Sequence, residues 1–554
     1  MTGHDGPVSC VVLSRCQTIL ASGQKASPGL VSDIIVWDFS KRTLSLRLSL
    51  HKGSVAGLSF SASGTWLASV GGLEDGQLVV WDVQSGTALS SVVAHSEVVN
   101  AISFFSVSDN LLVTAGRNHV RTWTFDASSR KLKFEPVAMG SLKRDFTTVC
   151  VSPDDAVCYC GTRSGDFVEV TLRESIYKRT GPAKGGAFAG GVSSASLIPG
   201  GDILIGTGEG VLVKVSLLSL RVISRSEPLG GGTITSIALT PDGTHFFAGT
   251  SRSNIFWVHT DTLKAELRSA CHTEQINQLC FPYKCGGEVV ASASRSEIRL
   301  WNTGSKQELL SVQVPNVDCL SIAFGRDGKS IVSGWSDGKI RAFTPQTGTL
   351  IFAIHEAHKE GVTALATCVD KIVSGGVRGE VRVWRIASPQ FQQLEATMKE
   401  HRDRVSAIQV REDDLRAVST SRDGSCIVWD LMKGVRLVCM IEQTKLNGVV
   451  YSADFAQVVT IGSDKKITYW DVFDAQPLRA LDGAGSGALS VIARGWNERL
   501  IVAGEDGLVR VWDYDMGAIL FECVGHSCPV TACACHEKMI VTGDAQGALY
   551  FWQM

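Results

Sequence analysis

The side chains best suited to chemistry form a group of cysteines and histidines near the carboxyl end of the sequence. His526, Cys528, Cys533, Cys535 and His536 all belong to residue types that bind zinc. Cys533 and Cys535 would lie on one face of a strand and His536 on the other, because side chains alternate along a strand. A tetrahedral site would therefore require a break in the strand. We expect these residues to be structural and predict no bound metal.

Two glycine-containing segments resemble nucleotide-binding loops. Gly328-Lys329-Ser330 has the end of a phosphate-binding motif, but Ala323 stands where the first glycine of that motif is required. Residues 206–210 resemble a dinucleotide-binding loop, yet they run from strand to strand and not from strand to helix. No ordered set of nucleophile, base and acid has the spacing of a known hydrolase motif. We therefore predict no cofactor and no enzymatic activity.

The elements that carry all these residues repeat along the chain. A short strand, a tight turn such as Arg422-Asp423-Gly424, and a second strand ending in Trp429-Asp430 form one example. Glycine gives such a turn its positive φ, and aspartate can hydrogen-bond its own backbone there. The closing aromatic residues are Trp37, Trp81, Trp123, Trp257, Trp301, Phe343, Trp384, Trp429, Trp470, Trp512 and Trp552. Two weaker repeats, at 167–170 and 212–215, fill the one long gap and bring the number of periods to thirteen.

Periods of roughly 40–45 residues with four short strands and a closing Trp-Asp are typical of WD40 β-propellers. Because one propeller has about 4–8 blades, thirteen periods predict an all-β fold of two tandem propellers. Residues 1–262 hold six readable blades and residues 263–554 hold seven. We expect residues 263–268 to supply the outer strand that closes the second ring. The first ring either has six blades or lacks an amino-terminal seventh blade in this sequence, and we favour the missing blade.

Polar residues recur at fixed places within the periods. One period has a full set that resembles the structural network of WD40 repeats, and a second set has asparagine where aspartate is usual. We interpret both sets as structural ties and not as catalysts. The two sets are His401, Ser419, Asp423 and Trp429, and His95, Thr114, Asn118 and Trp123.

Charge and composition narrow the class of protein. Lys and Arg number 53 against 55 Asp and Glu, giving a net charge of −2, which argues against a protein held mainly to nucleic acid or to anionic lipid. No stretch approaches the roughly 18 apolar residues that span a bilayer, and the first residues do not resemble a signal peptide. We expect the 16 cysteines to be reduced in the cytoplasm, with no nucleic acid or membrane as partner.

Three segments exceed what a blade needs, at residues 24–32, 126–145 and 180–202. Long connections are usually functional or disordered. We predict that basic residues in these segments contact an acidic partner surface. They are Lys25, Arg130, Lys131, Lys133, Lys143, Arg144 and Lys184.

Several stretches go beyond a generic WD40 pattern, among them residues 32–39, 326–343, 469–474 and 511–514. Together they resemble the cilia- and flagella-associated protein 52 family, WD-repeat proteins of motile cilia, over the entire chain. The resemblance implies a microtubule inner protein that binds tubulin inside the B-tubule of axonemal doublets. It further implies other inner proteins as partners, such as cilia- and flagella-associated protein 45 and enkurin, and a further blade before Gly3.

Three kinds of function remain open at this point. The first is a structural lattice protein of the axoneme that stabilises doublet microtubules for motility. The second is a soluble WD40 adaptor that assembles a complex by binding peptides on its propeller faces. The third is an enzyme with a site in a central channel, which the absence of a catalytic motif disfavours.

Overall fold

A computed structural model describes residues 3–4, 6–27, 29–94, 97–183, 186–230, 232–283, 286–483 and 486–554. The chain divides into two compact units, Met1–Arg268 and Ser269–Met554. Antiparallel sheets follow one another along the chain, so the predicted all-β fold of repeated, mostly four-stranded sheets is confirmed. No helix in the described ranges has both the length and the hydropathy to cross a membrane.

The first unit consists of six four-stranded sheets, each formed by four consecutive strands. Their strands are β1 (Val8–Leu13), β2 (Ile19–Gln24), β3 (Val31–Asp38), β4 (Thr43–Lys52); β5 (Val55–Phe60), β6 (Trp66–Gly71), β7 (Gln77–Asp82), β8 (Ala88–Val93); β9 (Val99–Phe104), β10 (Leu111–Gly116), β11 (His119–Asp126), β12 (Lys131–Pro136); β13 (Phe146–Val151), β14 (Val157–Thr162), β15 (Phe167–Thr171), β16 (Ile176–Gly181); β17 (Val192–Ile198), β18 (Asp202–Thr207), β19 (Leu212–Ser216), β20 (Val222–Arg225); β21 (Ile234–Leu239), β22 (His245–Thr250), β23 (Ile255–His259) and β24 (Ala265–Ser269).

The second unit contains two sheets that share a long strand, four further four-stranded sheets and a last sheet of three strands. Its strands are β25 (Ile276–Cys280), β26 (Val289–Asn302), β27 (Glu308–Phe324), β28 (Ile331–Trp335), β29 (Ile340–Phe343), β30 (Leu350–Ile354); β31 (Val362–Thr367), β32 (Lys371–Gly376), β33 (Glu380–Ser388), β34 (Phe391–Lys399); β35 (Val405–Val410), β36 (Arg416–Ser421), β37 (Ser425–Asp430), β38 (Val435–Ile441); β39 (Leu446–Tyr451), β40 (Gln457–Gly462), β41 (Lys466–Asp471), β42 (Pro477–Asp482); β43 (Leu489–Arg494), β44 (Arg499–Gly504), β45 (Leu508–Asp513), β46 (Ile519–Val524); β47 (Val530–His536), β48 (Met539–Asp544) and β49 (Leu549–Gln553).

The long strands β26 and β27 each pair with two neighbouring strands. The first half of β26 pairs with β25 and its second half with β27, and the residue between the halves, Ser296, has φ 59°. The first half of β27 completes this sheet as its outer strand, and the second half begins the next sheet against β28. The six-stranded arrangement therefore supplies two four-stranded blades.

The hydrophobic core lies between successive sheets. Val381 and Val383 of one sheet form a single buried cluster with Ala417, Ile427 and Trp429 of the next. Within a sheet, the tight turns pack closely against the neighbouring strand end, as at Gly424, which has φ 85° and where an added Cβ would lie 2.1 Å from the carbonyl oxygen of Glu442. Burial of both faces of each sheet therefore depends on a neighbour on either side.

Inner strands are joined around the second unit by side-chain hydrogen bonds to the next strand's backbone. The Asn277 amide donates to the Cys319 carbonyl at 2.7 Å, and the hydroxyls of Thr363 and Ser406 donate to the next inner strand at 2.6 and 2.7 Å. Thr531 of the last sheet donates to Ile276 of the first at 2.6 Å. The packing of inner strands thus returns from β47 to β25 as a closed cycle of seven sheets.

The first unit does not show the same cycle. Its inner strands pack in the series β1, β5, β9, β13, β17 and β21, and no comparable packing in the described ranges joins β21 to β1. The two end sheets expose apolar residues on the faces that have no neighbour. Val11 is 58% exposed on β1, and Phe247 and Ile255 are each 44% exposed on β22 and β23.

The expectation that residues 263–268 close the second ring is wrong. β24 is instead the fourth strand of the sheet β21–β24 in the first unit. A tight turn causes this: Leu263 is buried with φ 53°, its N–H donates to the His259 carbonyl at 2.9 Å, and the His259 N–H donates to Lys264. The turn brings the chain back along β23, and the last sheet of the second unit keeps three strands.

Two of the predicted long connections each contain a whole strand. Residues 126–145 contain the outer strand β12, and residues 180–202 contain β17. The length of the first segment predicted a long connection, but Lys131, Leu132, Lys133 and Phe134 lie in β12 and alternate as an edge strand does. The prediction of a long connection was therefore wrong for these residues.

Candidate functional site

The structure brings three of the four predicted residues of the His401 set into direct contact. Trp429 Nε1 donates to Ser419 Oγ at 2.7 Å, and Ser419 Oγ lies 2.7 Å from His401 Nε2. His401 Nδ1 then lies 2.5 Å from Ser425 Oγ, whose hydroxyl donates to Asp423. The sequence prediction contained Asp423 but missed Ser425, which carries the connection between the ring and the carboxylate.

The two ends of this chain of bonds fix its direction. An indole N–H can only donate and a carboxylate can only accept. The Ser419 hydroxyl therefore donates to His401 Nε2, and the Ser425 hydroxyl donates to Asp423. Burial lowers the pKa of His401 to about 4, which keeps the ring neutral near pH 7. A neutral ring accepts at Nε2 and donates at Nδ1, as the chain of bonds requires. The arrangement has no free nucleophile and holds the blade together.

The same arrangement recurs in five other sheets. In each, a tryptophan Nε1 donates to a serine or threonine hydroxyl that also contacts a histidine Nε2. The spacing is the signal that could have found them, with the histidine 16 to 20 residues before the hydroxyl. The sets are His4, Ser22, Trp37; His51, Ser69, Trp81; His272, Ser292, Trp301; His358, Ser374, Trp384; and His526, Thr542, Trp552.

The second predicted set is only partly assembled. Trp123 Nε1 donates to Thr114 Oγ1 at 2.9 Å. Asn118 does not join this pair, because it occupies an exposed turn with φ 58°, where its backbone N–H donates to the Arg144 carbonyl at 2.7 Å. His95 lies outside the described residues.

The cysteines and histidines near the carboxyl end do not form one cluster. His526 contacts Thr542 at 2.7 Å and Asp544 at 2.9 Å, as a member of the blade network. Cys533 is buried and Cys535 is partly buried in the packing between the last two sheets. Across the described ranges, no three His, Cys, Asp or Glu side chains are grouped so that they could hold a metal ion.

Basic residues of the predicted partner surface are concentrated on the outer strand β12. Lys131 and Lys133 are exposed on this strand, and Arg130 precedes it in a turn with φ 53°. Phe134, 48% exposed, follows Lys133 and pairs with Trp123 of β11, with the Arg121 guanidinium 4.2 Å from its ring centre. We call residues 130–134 the basic edge.

The other predicted contact residues are scattered. Arg144 forms an ion pair with Asp166 at 2.9 Å, and it is the one predicted contact residue within the described ranges that does so. Lys143 and Lys25 are exposed, and the Lys25 backbone N–H donates to Pro7. Lys184 lies outside the described residues. Arg130, Lys131 and Lys133 therefore lie together on the basic edge, and contact of any of the seven residues with a partner stays a prediction.

A central cavity of about 780 Å³ runs between the inner strands of the second unit. Residues from all seven inner strands line it, together with Arg404 and Arg422. Burial, followed by the neighbouring charge of Arg422, lowers the pKa of Arg404. The cavity can therefore accept a polar or acidic group.

Comparison with known proteins agrees with this architecture. A model described as "WD domain, G-beta repeat" matches residues 42–82 and 392–430. Cilia- and flagella-associated protein 52 of Sus scrofa is 40% identical over 561 residues, covering 100% of this chain and 89% of the relative. The proteins of the same name from Chlamydomonas reinhardtii and Homo sapiens are 41% and 39% identical, each covering 100% of this chain and 90% of the relative. The resemblance noted from the sequence is confirmed, and the chain belongs to the cilia- and flagella-associated protein 52 family.

Proposed function

We propose that this chain is a non-enzymatic structural protein of the ciliary and flagellar axoneme. It binds tubulin in the lumen of the B-tubule of doublet microtubules and stabilises them for motility, next to inner proteins such as cilia- and flagella-associated protein 45 and enkurin. The observation that carries the proposal is the identity of about 40% over the whole chain to relatives named for cilia and flagella.

The architecture suits such a role. Sheets tied by buried hydrogen bonds and packed on both faces form preformed surfaces, which lose little conformational entropy on binding. Two units in one chain could contact repeating subunits and gain from avidity. The basic edge, with Arg130, Lys131 and Lys133 exposed, supplies a surface for the acidic side chains of a partner.

The test is retention on axonemes. A tagged chain is expressed in motile ciliated cells, and the axonemes are extracted with detergent and then with increasing salt. We expect the chain to remain with the doublets after detergent and to be located inside the B-tubule by cryo-electron microscopy. Recovery in the detergent-soluble fraction alone would contradict the proposal.

A charge-reversal pair tests the basic edge separately. Lys131→Glu with Lys133→Glu is expected to release the chain at lower salt, because surface attraction to an acidic partner weakens with ionic strength. Arg42→Glu with Lys52→Glu is the matched control, since these exposed cations lie at the two ends of another outer strand, β4, and give the same change in charge. If both variants are released at the same salt concentration, the basic edge does not contact the partner.

The cavity of the second unit favours a second candidate, a soluble adaptor that binds acidic peptides. In that case Arg404→Ala with Arg422→Ala would abolish peptide capture, and the chain would exchange freely from the cilium. Retention of this variant on salt-washed doublets would favour the lattice role.

A further inference from the structure

Two arginines lie at one end of the central cavity in the second unit. Arg404 directly precedes β35 and Arg422 directly follows β36, and the Arg422 backbone N–H donates to the Arg404 carbonyl at 3.0 Å. Both residues line the cavity, with Arg404 partly buried and Arg422 exposed. In the described part of the chain, neither guanidinium forms an ion pair or a hydrogen bond. We call these two residues the arginine pair.

The charges around the arginine pair leave it positive. Burial and, after it, the charge of Arg422 lower the pKa of Arg404. Asp403 acts in the opposite sense, but its carboxylate accepts the Arg404 backbone N–H at 2.6 Å. Glu505 is the one carboxylate among the described lining residues, and it accepts the Ala488 backbone N–H at 3.0 Å two sheets further along. A partly buried cation beside a second cation is stabilised by a bound anion.

Another arginine of the same unit shows how such a cation is neutralised when it has no ligand to bind. Arg295 holds the position that corresponds to Arg422, directly after the segment that pairs with the inner strand of its sheet. It forms ion pairs with Glu274 at 3.7 Å and with Asp318 at 3.3 Å. Arg295 does not line the cavity. The arginine pair therefore differs from its counterpart both in lining the cavity and in having no carboxylate partner.

The space beside the arginine pair is larger than a lone ion requires. The cavity volume of about 780 Å³ lies within the roughly 300–1,000 Å³ of small-ligand sites. Gln278 and Gln409 line the cavity, and each Oε1 accepts a backbone N–H of the next inner strand, at 2.9 and 2.7 Å. Asn447 donates through Nδ2 to the Leu489 carbonyl at 2.7 Å. The glutamine Nε2 groups can therefore donate to a ligand, and Asn447 Oδ1 can accept from it.

We propose that the arginine pair binds an oxyanion, a carboxylate or phosphate group, of a ligand whose uncharged part lies along the amide side chains of the cavity. Guanidinium groups present their donors in planar forks that match the paired oxygens of such groups. This inference rests on the same cavity as the adaptor candidate and deepens it by naming the group that is recognised. It is tested on the purified chain, whereas the axonemal role is tested by retention on doublets, so the failure of one is distinguishable from the failure of the other.

The first experiment is titration calorimetry of the full chain with two anionic probes. Sodium tripolyphosphate supplies phosphate groups, and a capped peptide of four glutamates supplies carboxylates. We expect saturable binding of at least one probe at a single site, weakening as salt is added. Binding of tripolyphosphate alone identifies a phosphate ligand, binding of the peptide alone identifies a carboxylate ligand, and binding of both shows that the site accepts either oxyanion. Binding of neither probe would overturn the proposal.

Substitutions assign the binding to the arginine pair. Arg404→Gln with Arg422→Gln is expected to weaken binding of the probe by about tenfold or more, since hydrogen bonds to charged groups are lost. Arg295→Gln with Arg378→Gln is the matched control, because it removes two ion-paired cations of the same unit that do not line the cavity. We expect this control to bind the probe as the unmodified chain does. Equal weakening in the control would mean that net charge attracts the probe, and the site would be overturned.

Thermal melting separates a binding role from a structural one. Because the Arg404 guanidinium has no partner in the described ranges, Arg404→Gln is expected to melt no lower than the unmodified chain when no probe is present. The bound probe is expected to raise the melting temperature of the unmodified chain and not that of the variant lacking both arginines. A melting temperature several degrees lower for Arg404→Gln without probe would mean that Arg404 stabilises the fold, and the assignment would be overturned. The single variant Arg422→Gln, at an exposed residue, then still reports whether the probe binds at this end of the cavity.

Discussion

At the scale of single residues, the hydroxyl between tryptophan and histidine connects two buried polar groups, so we expect its removal to lower the stability of the blade. Ser419 is fully buried and contacts both Trp429 and His401. Ser419→Ala leaves the indole N–H and the imidazole nitrogen without this partner, at a cost of about 1–3 kcal/mol for each buried group. We expect the melting temperature of the second unit to fall by several degrees.

Calorimetry of the full chain measures this change, and Ser305→Ala is the control, because Ser305 is exposed in a turn of the same unit. Equal melting of the two variants would show that the network contributes little to stability.

Buried histidines make stability depend on pH. The pKa of His401 is lowered by burial to about 4 in the folded chain, against an ordinary value of 6.5. Between these values the unfolded chain binds more protons, so the free energy of unfolding decreases as pH falls from about 6.5 to about 4. His401 contributes about 3 kcal/mol of this loss, since one pKa unit corresponds to about 1.4 kcal/mol.

Urea unfolding at several pH values checks this dependence. His401→Gln is expected to reduce the slope over that range, and His355→Gln, at an exposed histidine, is expected to leave it unchanged. A slope unchanged by His401→Gln would contradict the assignment of a neutral buried ring.

Residue types with strict spacing could be predicted from the sequence, and their partners could not. The histidine, serine and tryptophan of the His401 set stand at fixed distances from the turn, so a repeated pattern reveals them. Ser425 was missed because a serine at the start of a strand has no distinguishing context until its hydroxyl is placed between His401 and Asp423.

At the scale of elements, the joint between β47 and β25 holds the second unit as a ring. Thr531 Oγ1 donates to the Ile276 carbonyl at 2.6 Å, and Ile276 lies in one buried cluster with Trp301 and Val541. Thr531→Val keeps the shape of the side chain and leaves that carbonyl without this donor. We expect amides of β25 and β47 to exchange severalfold faster, because opening at the joint becomes easier.

Thr147→Val is the matched control for this experiment. Thr147 donates to the Val192 carbonyl at 2.6 Å, so the substitution removes the same kind of bond within the first unit. It should accelerate exchange in β13 and β17 and leave β25 and β47 unchanged. Unchanged exchange in the Thr531 variant would mean that packing alone closes the ring.

The repeat and its blades could be predicted because turns and tryptophans recur with one period. The assignment of β24 could not, since a short alternating segment can pair equally well with β23 or with a distant edge. The tight turn at Leu263 directs β24 back along β23. A buried leucine with positive φ could not be predicted from the sequence. The basic edge was predicted to lie in a long connection for the related reason that the length of a segment does not show whether it contains a short edge strand.

At the scale of the whole molecule, the end sheets of the first unit leave apolar surface without a neighbour. Val11 is 58% exposed, and Phe247 and Ile255 are each 44% exposed, on faces that successive sheets bury elsewhere in the unit. Apolar faces of this kind favour association in water. We expect the purified chain to self-associate as its concentration rises.

Sedimentation velocity over a range of concentrations tests where this association originates. Val11→Thr with Phe247→Thr is expected to shift the chain toward monomer, because the exposed faces become more polar while the strands keep residues suited to a sheet. Val107→Thr with Phe473→Thr removes the same two side chains from turns where they are 70% and 76% exposed. If this second pair shifts the equilibrium as strongly, scattered surface apolarity and not the end sheets drives association. If the unmodified chain is monomeric at every concentration, the exposed faces of the two end sheets do not drive self-association. The prediction would then be wrong, because these faces would stay in contact with solvent.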